Sequence, residues 1–442
     1  MPDMPARSAT VAIRWLLAIG FAGSIAPTAS WFFGGRWRLG FLVAGIGLAA
    51  AAATAVLTRR ALLRRFVSEN RLLVLAAAGF VLARLVSVLG AEVQWVALLD
   101  ALRAAAVIGY LLLALALGAE DAGLARTFAR VAAVVVAAHL LQLFAGLLAP
   151  AAFGFAFEAG LHQHLGGVPR FAGVPGCAFS CGVLMLACAI LLRWEPVAWL
   201  RWAGWGCALA LALVSLSFAT LVVPIAIAWG LIRRPRWRWA VTGVLVVGGL
   251  AVLWIKPLSV SGPWGETEIA TVHPGYHTQG LGPRHMPRHT LELGGLAAEF
   301  HYTAYAHLAR RSLRCFAENW AIGVGGRNHP IACPVWTMNT YGSWTRHRLA
   351  HNAYLKQLAE HGILGAATLI LLLIALLHHS RATFPDRFAQ GTIVAYLVAA
   401  CAGEIWMQFP FAAAVAISLP PKTTNNPSSP TTQHRAGGEP PH

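Results

Sequence analysis

The sequence predicts an all-α fold, a polytopic helical membrane protein of about 11–12 transmembrane helices with one large outer loop between helices 9 and 10. Three observations carry this expectation. Apolar runs of roughly 17 to 22 residues recur along the chain and match the hydrocarbon core of a bilayer. Only 12% of the residues are charged and 57% are hydrophobic, whereas soluble domains carry about 25% charge. The charges also fall in short blocks between the apolar runs, as membrane topology requires. Helices suit such a chain because each satisfies its own backbone hydrogen bonds.

In order, the apolar runs lie near 11–29, 39–57, 72–90, 98–117, 129–149, 177–192, 202–217, 219–232 and 239–255, then 354–377 and 391–404. A weaker run at 406–419 completes a twelfth helix. The first run contains Arg14 and lacks a clear small-residue cleavage site, so it reads as a retained helix. Arg59, Arg60, Arg64 and Arg65 form one basic block, followed by Arg126 and Arg130, Arg193 and Arg201, Arg233 to Arg238, and Arg381 and Arg387. The positive-inside rule places this set in the cytoplasm. The N terminus is then inside, and residues 257–350 are outside.

The chain therefore divides into helices 1–9 over residues 1–256, the large loop over 257–350, a C-terminal helical part over 351–419 and a tail over 420–442. The tail is rich in Pro, Thr, Ser and Asn and has the composition of a disordered segment. A loop of about 90 residues is long for an unstructured connection. A helix is expected over 297–319, and the loop reads as a cap on the membrane part. The net charge of +17 comes almost wholly from Arg, since Lys256, Lys356 and Lys422 are the lysines. Nucleic-acid binding would need a basic face on a soluble module, and no such motif is present.

Chemistry-bearing residues concentrate in the loop. His273/His277 and His285/His289 have i, i+4 spacing, but no HExxH or paired CxxC accompanies them, so no metal is assigned. Arg284, Arg288, Arg310, Arg311, Arg314 and Arg327 suit an anionic substrate, because guanidinium pairs well with phosphate. Cys315 and Cys333 share the loop and could pair if it faces an oxidising compartment. Cys177, Cys181, Cys188, Cys207 and Cys401 read as small core residues.

Three short stretches stand out. GVPRFAGVPG (167–176) places Arg170 among turn-forming Gly and Pro; a tight turn with a snorkelling Arg is the plainer reading. ENWAIGVGGRNHP (318–330) ends the loop helix in a turn built on Gly323, Gly325 and Gly326. It is not a dinucleotide fingerprint, since no strand precedes it. HNAYLKQLAEHGILG (351–365) marks the passage from polar loop to apolar helix. Asn352 is a good helix cap. The helix N-terminus favours phosphate and opposes imidazolium, which leaves His351 neutral and able to accept a proton. Gly362, Gly365 and Ala366 share one side of that helix and permit close packing. Glu360 and His361 need partners or water so near a membrane span. Asp100 and Arg103 form an i, i+3 pair placed to satisfy each other. Arg84 and His139, inside apolar runs, either line a pathway or snorkel.

Taken together, HNAYLKQLAEHGILG, the NWAIGVGGRN turn and RFAGVPG resemble the signatures of the O-antigen ligase and O-antigen polymerase family of bacterial inner-membrane glycosyltransferases. The hydropathy layout agrees over about residues 10–415. The resemblance implies a periplasmic main loop and transfer of a glycan from undecaprenyl pyrophosphate. The implied acceptor is lipid A–core in a ligase or a lipid-linked repeat in a polymerase. No metal or other cofactor is implied. On this reading His351 activates the acceptor hydroxyl, and Arg170, Arg310 and Arg311 hold the pyrophosphate. Asn352, Gly323, Gly325, Glu360 and Gly362 support the site. Two departures stand against it. Ser217-Phe218 replaces the family's Ser-Arg, and Tyr305 falls where an Arg is often found. Either nearby arginines substitute or the anion site is incomplete. A transporter or flippase, and a non-catalytic assembly protein, are the rivals from other classes.

Overall fold

A computed structural model describes residues 4–24, 39–118, 121–149, 171, 173, 178–215, 224–225, 227–229, 231–254, 259–262, 265–268, 304–333, 336–338, 344–346, 352–383, 391, 394–395, 397–398, 412 and 415–416. The architecture is helical. The early helices are α1 (Met4–Ser24), α2 (Leu39–Thr58), α3 (Arg60–Glu69), α4 (Arg71–Ser87), α5 (Gln94–Gly118) and α6 (Ala122–Leu148). Then come α7 (Ala178–Leu192), α8 (Ala198–Val214) and α9 (Pro235–Trp254). Two small antiparallel hairpins follow later in the chain: β1 (Ser259–Gly262) with β2 (Gly265–Glu268), and β3 (Trp336–Met338) with β4 (Trp344–Arg346). Between them lie α10 (Ala304–Glu318) and the single turn α11 (His329–Ala332). The long α12 (Ala353–Thr383) follows the second hairpin.

Among the described residues, four helical segments are long and apolar enough to cross a membrane: Arg71–Gly90, Gln94–Gly118, Gly123–Leu148 and Ala353–His379. A fifth is counted if Gly45–Thr58 and Arg60–Glu69, bent by 97°, form one span. Three shorter apolar helices accompany them, Ser8–Ala22, Cys181–Leu192 and Ala198–Val214. The expected runs at 219–232, 391–404 and 406–419 fall largely outside the described residues. Large apolar side chains point outward from the long helices, among them Leu75, Leu82, Val134, Leu141 and Ile370. Such a surface is costly in water and favourable in hydrocarbon.

The helix bends and ends have local causes. Arg59 lies outside helical geometry between α2 and α3. Beyond it, α3 buries Phe66 and exposes Arg60, Arg64 and Arg65, a distribution suited to an interfacial position. Asp121 caps α6, its Oδ1 accepting from the Gly123 N–H at 2.9 Å, and the same carboxylate pairs with Arg14 of α1.

α12 packs extensively on α4, α4 on α5, and α10 on α12. The core between α4, α5 and α12 is built from Phe80, Val107, Leu111, Leu369, Leu372 and Leu376. The loop helix expected over 297–319 is observed as Ala304–Glu318, its C-terminal end as expected and residues 297–303 outside the described set.

Candidate functional site

α12 is not a continuous helix. Gly362 takes φ 62° and ψ −161°, a region that residues with a Cβ do not adopt. The sequence reading gave Gly362 a packing role; the structure makes it the break. The break redirects four backbone groups. Ile363 N–H donates to Trp320 O at 2.7 Å and Leu364 N–H to Ala321 O at 3.4 Å. In return Val324 N–H donates to Ala359 O at 3.1 Å and Gly325 N–H to Glu360 O at 2.8 Å. Ala359 O and Glu360 O are the acceptors that Ile363 and Leu364 would use in an unbroken helix. The 319–328 turn thus replaces one turn of helical bonding, so every one of these groups is satisfied.

The close approach demands glycine. A Cβ on Gly323, which has φ +72°, would lie 2.3 Å from Glu360 C. One on Gly362 would lie 2.4 Å from Ala321 O. Asn328 then fastens the turn to the link between α4 and α5. Its buried amide accepts from Val93 N–H at 2.8 Å and donates to Val93 O at 3.2 Å. A disulfide between Cys315 and Cys333 ties α10 to the end of α11. Val324, Ala359 and the two half-cystines make a small core under the turn.

A buried polar cluster occupies this junction. Arg84 of α4 donates to the Asp100 carboxylate of α5 and, through Nη2, to Gln357 Oε1 of α12 at 2.8 Å. Gln357 in turn donates to Gly365 O at 3.0 Å. Ser87 Oγ lies 2.7 Å from Arg84 O and 2.8 Å from His361 Nδ1. Ser87 Oγ donates to Arg84 O, and the direction of its bond with His361 Nδ1 depends on the imidazole tautomer. His361 Nε2 is 3.9 Å from Asp100 Oδ2. Lys356 Nζ lies 3.7 Å from Glu360 Oε2, and Arg327 Nε lies 3.5 Å from Asp100 Oδ1. The i, i+3 reading of Asp100 and Arg103 is therefore corrected: Arg84, brought in from α4, holds the Asp100 carboxylate, while the Arg103 charge adds to the field there. Arg84 is buried, not snorkelling.

His329 borders the cluster from the loop side, with Ser312 Oγ 3.2 Å from its Nε2. Burial first, then the charges of Lys356 and Arg311, push its imidazole down to about 4, so it is neutral at pH 7.

Asp100, Glu360 and His361 present ligand atoms within 4.8 Å of one another. The neighbouring Arg84, Arg327 and Lys356 already supply the positive charge that a metal ion would bring, so this donor set does not fit a cation.

Of the residues singled out in sequence, Gly323, Gly325, Glu360 and Gly362 come together here. Asn352 caps α12, its Oδ1 accepting from Tyr354 N–H and Leu355 N–H, each at 3.0 Å. Arg311 approaches through His329. His351, Arg170, Phe218 and the Arg310 side chain lie outside the described residues. Near Arg170, Phe171 N–H donates to Val214 O at 3.3 Å, and a Cβ on Gly173 would lie 2.6 Å from His139 Cδ2. His139 is thus buried beneath that turn. Sequence reasoning left Arg84 undecided and did not connect Ser87 or Gln357 to the site; the available signal was ionisable and amide groups inside apolar runs.

Comparison of the chain with protein-family models gives no match, and comparison with curated proteins gives no significant one.

Proposed function

We propose that the chain is an inner-membrane glycosyltransferase of the O-antigen ligase kind. It moves a glycan from undecaprenyl pyrophosphate to a hydroxyl of lipid A–core or a similar acceptor on the periplasmic face. The observation that supports this most is the docking of the 319–328 turn into the break of α12. Two of the three stretches that carry the family resemblance, 318–330 and 351–365, form one backbone-bonded unit. α10, which carries Arg311, packs on α12, and in sequence His351 immediately precedes the Asn352 cap of that helix.

The chemistry follows from these parts. His351 takes the proton of the acceptor hydroxyl, whose oxygen attacks the anomeric carbon. The bond to the pyrophosphate oxygen breaks, and arginines from the loop and from the 167–176 turn neutralise the departing charge. In-line attack inverts the anomeric configuration. The proposed topology has a cytoplasmic N terminus and a periplasmic main loop. The Cys315–Cys333 disulfide agrees with an oxidising compartment for α10 and α11. In proteoliposomes, His351→Ala should insert normally and transfer nothing; normal transfer by this variant rejects the assignment. A product grown repeat by repeat would make the protein a polymerase.

One observation favours a second reading. A broken span beside buried ionisable groups is a feature of secondary transporters. Lipid-linked glycan uptake by proteoliposomes, with no new glycosidic bond, would select it.

A further inference from the structure

We propose that α3 lies in the plane of the bilayer surface and binds anionic phospholipid headgroups through Arg60 and Arg64, with Arg71 beside them. The inference concerns the end of the molecule remote from the candidate site and does not depend on the transferase reading.

Placement is the first argument. Gly45–Thr58 and Arg60–Glu69 are bent by 97°, so when α2 runs along the membrane normal, α3 runs along the surface. The corner is anchored: the Arg59 guanidinium donates to Thr10 Oγ1 of α1. At its other end α3 meets α4 through Asn70, whose Oδ1 is 2.9 Å from His379 Nδ1 of α12. The broken part of α12 is fixed to the opposite end of α4, where Ser87 meets His361 at 2.8 Å. The 17 residues of α4 between those two contacts span about 25 Å, close to the thickness of the hydrocarbon core. α3 therefore sits at the far end of the two spans that carry the polar cluster.

The distribution of residues around α3 is the second argument. Phe66 is buried, and Leu62 and Leu63 pack against the core. Arg60, Arg64, Arg65 and Val67 are on the exposed side. Apolar side chains continue beside the arginines: Leu57, at the end of α2, is 83% exposed, and Val56 is exposed with it. Arginines flanked by open apolar groups suit the boundary between headgroups and acyl chains.

Charge is the third argument and selects the partner. Glu69 is the one acidic residue of α3, and it is bonded to Arg65 at 2.8 Å. The exposed guanidinium groups of Arg60, Arg64 and Arg71 have no carboxylate partner among the described residues. Arg60 and Arg64 are an i, i+4 pair of like charge, which disfavours an isolated helix. Arg60 is also in the first turn, where the helix dipole opposes a cation. An external anion offsets both costs. Guanidinium pairs well with phosphate oxygens, and a surface rich in anionic lipid adds a favourable field for each arginine. The neighbouring Leu57 and Val56 fit acyl chains, which a free phosphate ion lacks.

The test uses the full chain in neutral detergent, titrated with phosphatidylglycerol and, separately, with phosphatidylcholine. Binding is read from the unfolding midpoint and from the lipid retained in native mass spectrometry. Wild type should prefer phosphatidylglycerol. Arg60→Gln or Arg64→Gln should each weaken that preference about fivefold, and both together about twentyfold. Glu69→Gln, which releases Arg65, should strengthen it. All of these positions are exposed, so the midpoints in phosphatidylcholine should match wild type. Raising the salt concentration should weaken the wild-type preference as well, a measurement that needs no substitution. No preference in wild type overturns the proposal. So does a preference that survives in Arg60→Gln/Arg64→Gln, since the lipid would then bind elsewhere. Wild type that ignores the headgroup but retains an acidic protein through these two arginines would replace the lipid by a protein partner.

Discussion

Two glycine turns meet helices in opposite ways. The 319–328 turn enters α12 and takes over the four backbone groups of two of its helical bonds, so the helix survives only with the turn in place. The turn at Phe171 and Gly173 covers an intact helix: α6 runs from Ala122 to Leu148, and Gly173 lies on His139 without entering the helical ladder. Their surroundings differ as well. Around the first turn are Arg84, Asp100, Lys356, Glu360 and His361. Around the second are Cys181, Phe171 and the buried His139 imidazole, whose Nδ1 is 2.8 Å from Val135 O of its own helix. The first turn is built to bring charge to a broken span, and the second to seal a packed one.

The comparison breaks most sharply at Gly362. Gly362→Ala places a Cβ against Ala321 O and forces a conformation that only glycine tolerates. The cost should exceed about 3 kcal/mol, seen as a large fall in the unfolding midpoint and fast amide exchange at Val324 and Gly325. Asp100→Asn should come next, at about 3–5 kcal/mol, because it leaves Arg84 buried without its counter-charge. Restoring stability with Arg84→Met in the same chain would show that the pair, not packing, carries the loss.

Gly173→Ala should cost less, about 1–3 kcal/mol, since a positive φ of 58° and one displaced imidazole are at stake. Exchange at Val324 and Gly325 should be untouched. A Gly173→Ala variant as damaged as Gly362→Ala would erase the distinction between the turns.

The smallest expected effect is on pH. The folded His329 imidazole is held down at about 4, below the ordinary value near 6.5. Its stabilising contribution is therefore complete above about pH 6.5 and is lost as pH falls from there toward 4, where the unfolded chain binds the extra proton. The midpoint of wild type should drop between pH 7 and 5 by more than that of His329→Gln. An equal drop would show that His329 charges freely in the folded protein.

Much of the architecture was legible because hydropathy reports directly on span length. The runs at 72–90, 98–117 and 354–377 reappear as α4 with its 3-10 extension, α5 and α12. The break at Gly362 was not legible. Apolar periodicity passes through it, and only the segment that replaces the missing bonds, about 40 residues earlier, shows why a helix can afford to open there. Asp100 misled for a related reason. Spacing along one helix points to Arg103, whereas Arg84 lies sixteen residues away on a neighbouring helix. Cys315 and Cys333 could be matched only by geometry. The Asn352 cap needed nothing beyond its own two following N–H groups and was readable from sequence.

The most direct test of the central claim is a lipopolysaccharide gel profile of a deletion strain complemented with wild type or His351→Ala. The account predicts that wild type restores the polymer ladder on lipid A–core. It predicts that an equally abundant His351→Ala protein leaves core alone, with lipid-linked polymer accumulating. A full ladder from His351→Ala, or a deletion strain with an unaltered profile, would contradict it.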